Sequence, residues 1–195
     1  DACPACPPVT SVFAMPGAGA VDARQPYPPD DPTALQGIGP PAEPIRIMLD
    51  PPVEGAPAEC FRLCETDQPA GGGANDIATV VDEGNGVYRL ELLRPITPYA
   101  VTKIRYFGSA DPVTLISHPG NSDGDASVSP LDVAKLMDCC LRARCLPTWR
   151  ELSCDIDHSG SNGAGDLLRL IDLFNGAGSY PAALGSAQPD PSGCP

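Results

Sequence analysis

The sequence has few aromatic residues, little positive charge and no long apolar run, and each shortage excludes a class of partner. Aromatic residues make up 5% of the 195 residues. The chain has 12 lysines and arginines but 25 aspartates and glutamates, which gives a net charge of −13. Nucleic acids and anionic membrane surfaces repel such an acidic chain, whereas cations are attracted to it. No apolar run approaches the length of a membrane span, about 18 residues. We therefore expect no nucleic-acid partner and no membrane span.

Catalytic signatures are also missing. The chain has two histidines, His118 and His158, and neither has a nucleophile or a carboxylate at the spacing of a known motif. No nucleophile elbow, zinc-protease helix or phosphate-binding glycine loop occurs. The adjacent carboxylates Asp82-Glu83 fall at a predicted turn, where a solvated strand end explains them. We expect a protein without enzymatic activity.

Proline, glycine and cysteine are abundant instead. The 25 prolines and 20 glycines indicate short elements joined by turn-rich connections rather than long helices. Nine cysteines are many for a cytosolic protein of this size but ordinary for a secreted one. The opening stretch, DACPACPP, is typical of a mature terminus after processing. We expect a secreted, extracellular protein whose odd cysteine is free, joins another chain or pairs with a group outside this sequence.

Residues 9–110 alternate between apolar and polar positions in short stretches separated by turn signals. In residues 44–50, for example, Ile45, Ile47 and Leu49 share one side, which is the period of a half-buried strand. About seven such strands, with turns at short intervals, predict an immunoglobulin-like antiparallel β-sandwich preceded by an arm of residues 1–8. A small barrel fits the same pattern. The predicted strands are 9–14, 20–24, 44–50, 58–66, 78–83, 87–93 and 100–108, with a hairpin turn at 84–86.

The pattern changes near residue 110, and from Leu115 onward the strand alternation stops. Two apolar stripes of helical period follow, and each comes directly after an oxygen-rich loop. The second stripe is closed by Asn175-Gly176, a helix stop signal. The stripes are Val133, Leu136, Met137, Cys140 and Leu141, and then Leu167, Leu168, Leu170, Ile171 and Phe174.

The first oxygen-rich loop is NSDGDASVSPLD, residues 121–132. Numbered as positions 1 to 12, its oxygen-bearing side chains fall on positions 1, 3, 5, 9 and 12, and the carbonyl of position 7 completes the set. This is the ligand spacing of an EF-hand loop, in which about six to eight oxygens surround Ca²⁺. Val128 at position 8 is expected to pair with a second loop, and Ser129-Pro130 to start a helix. The predicted ligands are Asn121, Asp123, Asp125, Ser127 through its carbonyl, Ser129 and Asp132.

A second loop, DIDHSGSNGAGD at residues 155–166, repeats the pattern 34 residues later. Because each loop is followed by a short apolar helix, chance is a poor explanation for the duplication. We expect two structural Ca²⁺ ions that this module needs in order to fold. Acidic, solvated loops without an ion are the alternative. The predicted ligands of the second loop are Asp155, Asp157, Ser159, the carbonyl of Ser161, and Asp166.

The two loop–helix units resemble the tandem calcium loops of dockerin-type modules. The resemblance rests on the aspartate at position 12 of each loop, the lack of an obvious preceding helix and the ending GDLLRLIDLFNG, and it covers roughly residues 117–178. It implies two Ca²⁺ ions, a compact α-helical pair and a secreted bacterial cell-surface protein. We assign the module to residues 115–178 and residues 179–195 to a loosely held C-terminal tail. The sequence departs from the usual pattern at Asn121, Ala126, Asn162 and Gly163.

The cysteines are predicted to form disulfides rather than a zinc site, because no histidine has suitable spacing. On one predicted strand, Cys60 and Cys64 lie about 13 Å apart, too far to bond to each other. Each has a possible partner in the arm cysteines Cys3 and Cys6, of the same chain or of a neighbouring subunit. Cys194 is left over. The cysteines expected to form two bridges within the calcium module are Cys139, Cys140, Cys145 and Cys154.

These features predict a non-enzymatic, calcium-stabilised, extracellular structural protein. We expect a subunit of a bacterial surface filament or matrix, whose partners are further copies of the chain or another cell-surface protein. The stretch VTSVFA either adds a strand to a neighbour's sheet or pairs within its own sandwich. A dockerin-like module that docks on a scaffold is the first alternative. A glycan-binding sandwich is the second, although Trp149, the one tryptophan, lies outside the predicted sandwich.

Overall fold

A computed structural model describes residues 6–15, 45–66, 75–93, 96, 99–116, 118, 120–122, 125, 127–142, 156, 163–176 and 185–187. Within these residues the protein is mainly β, with two antiparallel sheets and two short helices. The predicted mainly β class is therefore confirmed. The predicted strand at 20–24 lies outside the described residues. In chain order the elements are β1 (Ser11–Met15), β2 (Ile45–Asp50), a 3-10 turn (Ala58–Cys60), β3 (Phe61–Glu65), β4 (Ile77–Gly84), β5 (Val87–Leu92), β6 (Val101–Tyr106), β7 (Val113–Ile116), α1 (Pro130–Arg142) and α2 (Ala164–Phe174).

The first sheet has the strand order β1-β2-β5-β4, and the second has the order β3-β6-β7. Every neighbouring pair in both sheets is antiparallel. β1 pairs with β2 from Ser11 opposite Asp50 to Met15 opposite Arg46. The stretch VTSVFA thus lies at the edge of the sheet of its own chain.

The strand β7 extends the second sheet past residue 110, where the predicted sandwich ended. Three of its four residues are buried, so the stretch lacks the alternation on which the strand prediction relied. The beginning of the predicted strand 58–66 also differs, because Ala58–Cys60 form a 3-10 turn and β3 starts only at Phe61.

The hairpin between β4 and β5 forms where the glycine-rich turn predicts it. Asn85 and Gly86 are the two loop residues, with φ of 54° and 73°. Positive φ at both central positions is the geometry of a type I′ turn, whose twist matches the flanking strands. The turn also packs closely, since a Cβ on Gly86 would lie 2.7 Å from Pro52 Cα.

One apolar core takes residues from both sheets. The ring of Phe61 on β3 lies 5.1 Å from the ring of Tyr88 on β5 and 5.1 Å from that of Tyr106 on β6. Both tyrosine rings are buried, and each hydroxyl donates a hydrogen bond, from Tyr88 to the Val53 carbonyl and from Tyr106 to the Pro7 carbonyl. The buried members of the core are Ala14, Ile45, Ile47, Leu49, Cys60, Phe61, Tyr88, Leu90, Leu92, Ile96, Ile104, Tyr106, Val113 and Leu115.

The helices α1 and α2 pack on each other around a second, smaller core. Leu136 of α1 and Leu170 and Leu173 of α2 are buried there together with Val128 and Ile156. Within the described residues no helix is long and apolar enough to cross a membrane.

Candidate metal centre

The first oxygen-rich loop lies between the end of β7 and the first turn of α1. Five of its six predicted ligands have described positions, namely Asn121, Asp125, Ser127, Ser129 and Asp132. Asp123 lies outside the described residues. The predicted helix start is confirmed, because α1 begins at Pro130 and the Ser129 hydroxyl accepts the backbone N–H of Leu131 at 3.2 Å.

Asp132 closes the loop. Its side chain is fully buried, and one carboxylate oxygen accepts the backbone N–H of Ser122 at 2.7 Å while the other accepts that of Ser129, also at 2.7 Å. The Ser122 hydroxyl donates to the Asp132 carbonyl at 2.8 Å. The last residue of the loop therefore holds positions 2 and 9 together.

The amide of Asn121 holds the opposite end of the loop. Its Nδ2 donates to the Asp125 carbonyl at 2.6 Å, and the Asp125 carboxylate accepts the backbone N–H of Ser127 at 2.6 Å. Asn121 is 1% exposed, whereas Asp125 is exposed. Positions 1, 5 and 7 are thus linked by short-range hydrogen bonds.

The second loop shows the same contact at its end. The N–H of Gly163, at position 9, donates to the carboxylate of Asp166, at position 12, at 2.6 Å, and Asp166 is fully buried. α2 begins at position 10, as α1 does. The other predicted ligands, Asp155, Asp157, Ser159 and Ser161, lie outside the described residues.

The described donor atoms suit a hard cation such as Ca²⁺. They are carboxylate, amide, hydroxyl and backbone oxygens, with no nitrogen or sulfur ligand among the predicted positions. Asp132 and Asp166 are each fully buried at equivalent positions, and burying a carboxylate costs free energy unless opposite charge or hydrogen bonds compensate. Within the described ranges no group of three or more His, Cys, Asp or Glu side chains comes together.

Val128 does not pair as predicted. Its N–H donates to the Ser186 carbonyl at 3.0 Å, and its carbonyl accepts the N–H of Gly185 at 2.8 Å. An antiparallel bridge joins Ser127 and Ala187 next to it. The prediction of pairing with the second loop is wrong, because a segment of the predicted tail, residues 185–187, occupies the backbone groups of Val128.

His118 is a functional candidate that no sequence pattern indicates. It is fully buried, its Nε2 lies 2.9 Å from the Ser186 hydroxyl, and its Nδ1 lies 3.2 Å from Asn121 Nδ2. The edge of its ring faces Tyr99, with centroids 6.1 Å apart. Burial lowers the pKa of His118 below its ordinary value of 6.5, and the charge of Asp125 opposes this shift. The only sequence signal was the position of His118, three residues before the first loop.

The arm forms a second site of interest, where residues 6–15 contact both sheets. Cys6 forms a disulfide with Cys60, which places one of the two predicted arm partners within the same chain. The Pro7 carbonyl accepts the hydroxyl of Tyr106 at 2.9 Å, and the N–H of Val9 donates to the Gly108 carbonyl at 2.9 Å. We call residues 6–15 the arm segment and the surface that they contact the arm seat. Cys64 is also disulfide-bonded.

No protein-family model matches the chain, and no curated protein matches it either.

Proposed function

We propose that this protein is a non-enzymatic structural subunit of an extracellular bacterial filament or matrix, in which the arm segment joins neighbouring copies by strand exchange. We call the two sheets together with the arm segment the β unit. The proposal rests on the way in which residues 6–15 complete this unit. They contact both sheets, contribute Val12 and Ala14 to the core side and end in an edge strand. A segment of this kind can occupy the same seat in a second copy with the same contacts.

The spacing along the chain supports exchange. β1 and β2 are antiparallel neighbours, so a loop of about 2–5 residues would connect them as a hairpin. The chain instead places 29 residues between Met15 and Ile45. Fully extended, that number of residues spans about 100 Å, which is enough to reach a neighbouring subunit.

The β unit of the subunit is, in this proposal, an immunoglobulin-like sandwich. The two strand orders, β1-β2-β5-β4 and β3-β6-β7, correspond to the ABED and CFG sheets of a constant-type immunoglobulin domain. The single core with residues from both sheets supports face-to-face packing. Such domains are frequent building blocks of cell-surface proteins.

We call the two oxygen-rich loops together with α1 and α2 the helical unit. In the same proposal this unit is a dockerin-like pair of calcium loops that needs its ions to fold. Asn121, Asp123, Asp125, Ser127, Ser129 and Asp132 would hold one ion, and the corresponding residues of 155–166 the other. The matching burial of Asp132 and Asp166 supports this assignment. Each ion would supply the positive charge that offsets the clustered carboxylates.

Shortening the connection between β1 and β2 tests strand exchange. Deletion of residues 20–40 leaves 8 residues between the strands, which suffices for a hairpin but spans only about 30 Å. We expect polymers of the unaltered protein by electron microscopy and light scattering, and a monomer of equal thermal stability for the shortened variant. A monomeric unaltered protein, or equal polymerisation of both, would contradict the proposal.

Calcium titration tests the helical unit separately. Isothermal titration should find two ions per chain in the unaltered protein and one in either Asp132→Asn or Asp166→Asn, because each change removes a buried carboxylate at position 12. Asp172→Asn, an exposed carboxylate on α2, is the matched control and should still bind two ions. Binding of no ion by the unaltered protein would remove the calcium part of the proposal.

An anchoring module is the second candidate function. Apolar side chains on both helices are exposed, among them Leu131 at 62% and Leu168 at 65%. An exposed apolar patch on a module of this kind favours docking on a scaffold protein. A calcium-dependent pull-down from cell-surface extract that Leu168→Asp abolishes and Asp172→Asn preserves would favour this function over polymerisation.

A further inference from the structure

The backbone of Val128 has partners that belong to neither calcium loop. Both its N–H and its carbonyl bond to residues 185–187, and the Ser127–Ala187 bridge continues the pairing by one residue. Val128 is 1% exposed and belongs to the core between the helices. The C-terminal segment therefore covers a residue that connects the first loop to the helical core.

His118 links the same segment to the first position of the loop. The amide nitrogen of Asn121 can only donate, so His118 Nδ1 accepts from it and the ring proton lies on Nε2. Nε2 then donates to the Ser186 hydroxyl at 2.9 Å. One buried imidazole thus joins Ser186 to Asn121.

These hydrogen bonds fix the orientation of the Asn121 amide. Nδ2 is held by His118 on one side and by the Asp125 carbonyl on the other. Because Nδ2 is engaged in this way, Oδ1 is the amide atom with which Asn121 would serve a cation. A rotated amide would present an N–H group, which repels Ca²⁺.

We propose that His118 and residues 185–187 are positioning elements of the first cation site, and that this site reaches its full affinity only when the C-terminal segment is docked. The inference rests on the calcium binding proposed above and concerns residues to which the loop pattern assigns no role. The described hydrogen bonds of the segment are with the first loop and its neighbour His118, and the inference concerns that site alone. Tyr99, two residues before β6, lies against the ring of His118 and so connects His118 to the β unit.

Calcium titration of full-length variants tests the inference. Ser186→Ala removes one partly buried hydrogen bond to the imidazole, and the first site should weaken by about tenfold while the second keeps its affinity. Ser186→Thr retains the hydroxyl and should restore the affinity. A chain that ends at residue 184 loses the Val128 pairing as well and should weaken the first site further. Asp132→Asn identifies which of the two binding events belongs to the first loop.

Ser109→Ala is the matched control, because it removes a hydroxyl far from the loops and should leave both affinities unchanged. Two ions bound with unaltered affinity in both Ser186→Ala and the shortened chain would overturn the inference while calcium binding stands. Equal weakening of both sites, without rescue by Ser186→Thr, would also overturn it, since it indicates general destabilisation. Absence of calcium binding in the unaltered protein would overturn the inference together with the calcium part of the proposed function.

Discussion

Gly108 follows β6 at the point where the arm segment crosses from one sheet to the other. A Cβ at this position would lie 2.5 Å from Tyr106 Cε1 and closer still to the Pro7 carbonyl oxygen. A backbone atom cannot move aside as a flexible side chain does, so the arm segment itself would have to shift. That shift would break the hydrogen bonds of Pro7 with Tyr106 and of Val9 with Gly108.

The variant Gly108→Ala should therefore destabilise the β unit by about 2 kcal/mol, the usual size of an overpacking penalty. Denaturant unfolding followed by circular dichroism measures the change. Ser109→Ala at the next residue should shift the free energy of unfolding by no more than about 0.5 kcal/mol. An unchanged unfolding midpoint in Gly108→Ala would show that the arm segment is not tightly seated.

Asp82 gives the β unit a pH dependence. Its carboxylate accepts the backbone N–H groups of Gly55 and Gly84, each at 2.7 Å, and these bonds lower the pKa of Asp82 below its ordinary value of 3.8. Because the pKa of Asp82 is lower in the folded state than in the unfolded state, its ionised carboxylate stabilises the fold above about pH 3.8. This stabilisation is lost as the pH falls through the pKa of the folded state.

Unfolding curves of Asp82→Asn and the unaltered protein should thus differ at pH 7 and converge below about pH 3.8. The asparagine keeps one acceptor but cannot accept both N–H groups. Asp111→Asn, another exposed carboxylate, serves as the control. A difference that stays constant from pH 7 to pH 2 would show that the charge of Asp82 does not stabilise the fold.

At the scale of single residues, the sequence predicts oxygen ligands from their spacing but not the residues that contact them in the fold. Asp132 and Asp166 stand out because both end a regular pattern of ligands. His118 and Ser186 do not stand out, because 68 residues separate them and no local pattern relates positions that the fold alone brings together.

At the scale of elements, periodicity predicts those strands that have one buried and one exposed face. β2 and β5 alternate in this way and lie where the pattern predicts them. β7 was missed because it is buried on nearly every residue, and a short apolar run carries no period. The pairing of Val128 was assigned to the wrong partner because a three-residue segment such as 185–187 is too short to form a recognisable pattern.

The helix pair is the element on which a core substitution should act most clearly. Leu136 is fully buried between α1 and α2, whereas its neighbour Met137 is 44% exposed. Leu136→Ala should destabilise the helical unit by about 2–5 kcal/mol, since it leaves a cavity, and Met137→Ala should have little effect. The helical circular dichroism signal during unfolding in excess calcium measures both. Equal stability of the two variants would show that the helices do not share a core.

At the scale of the whole molecule, the ring contact of Tyr99 with His118 connects the β unit to the residue that precedes the first loop. The content of proline and glycine was sufficient to predict short elements, and the alternation of apolar and polar residues to predict a mainly β chain. The arm segment can occupy the arm seat of its own chain or that of a neighbouring copy. Composition cannot distinguish these two arrangements, because the contacts are the same in both.

The disulfide between Cys6 and Cys60 distinguishes the two arrangements. If arms are exchanged, this bond links successive subunits, and a denaturing gel without reductant should show a ladder that collapses to the monomer band when reductant is added. Cys6→Ser and Cys60→Ser should each reduce the ladder, and Cys60→Ser combined with Cys64→Ser should abolish it, because Cys64 is also disulfide-bonded and has a possible partner in the arm. Cys194→Ser is the control, because Cys194 is the other cysteine that the sequence leaves for a bond between chains. A ladder that persists in Cys6→Ser but disappears in Cys194→Ser would place the covalent link at the C-terminus and leave the arm segment within its own chain.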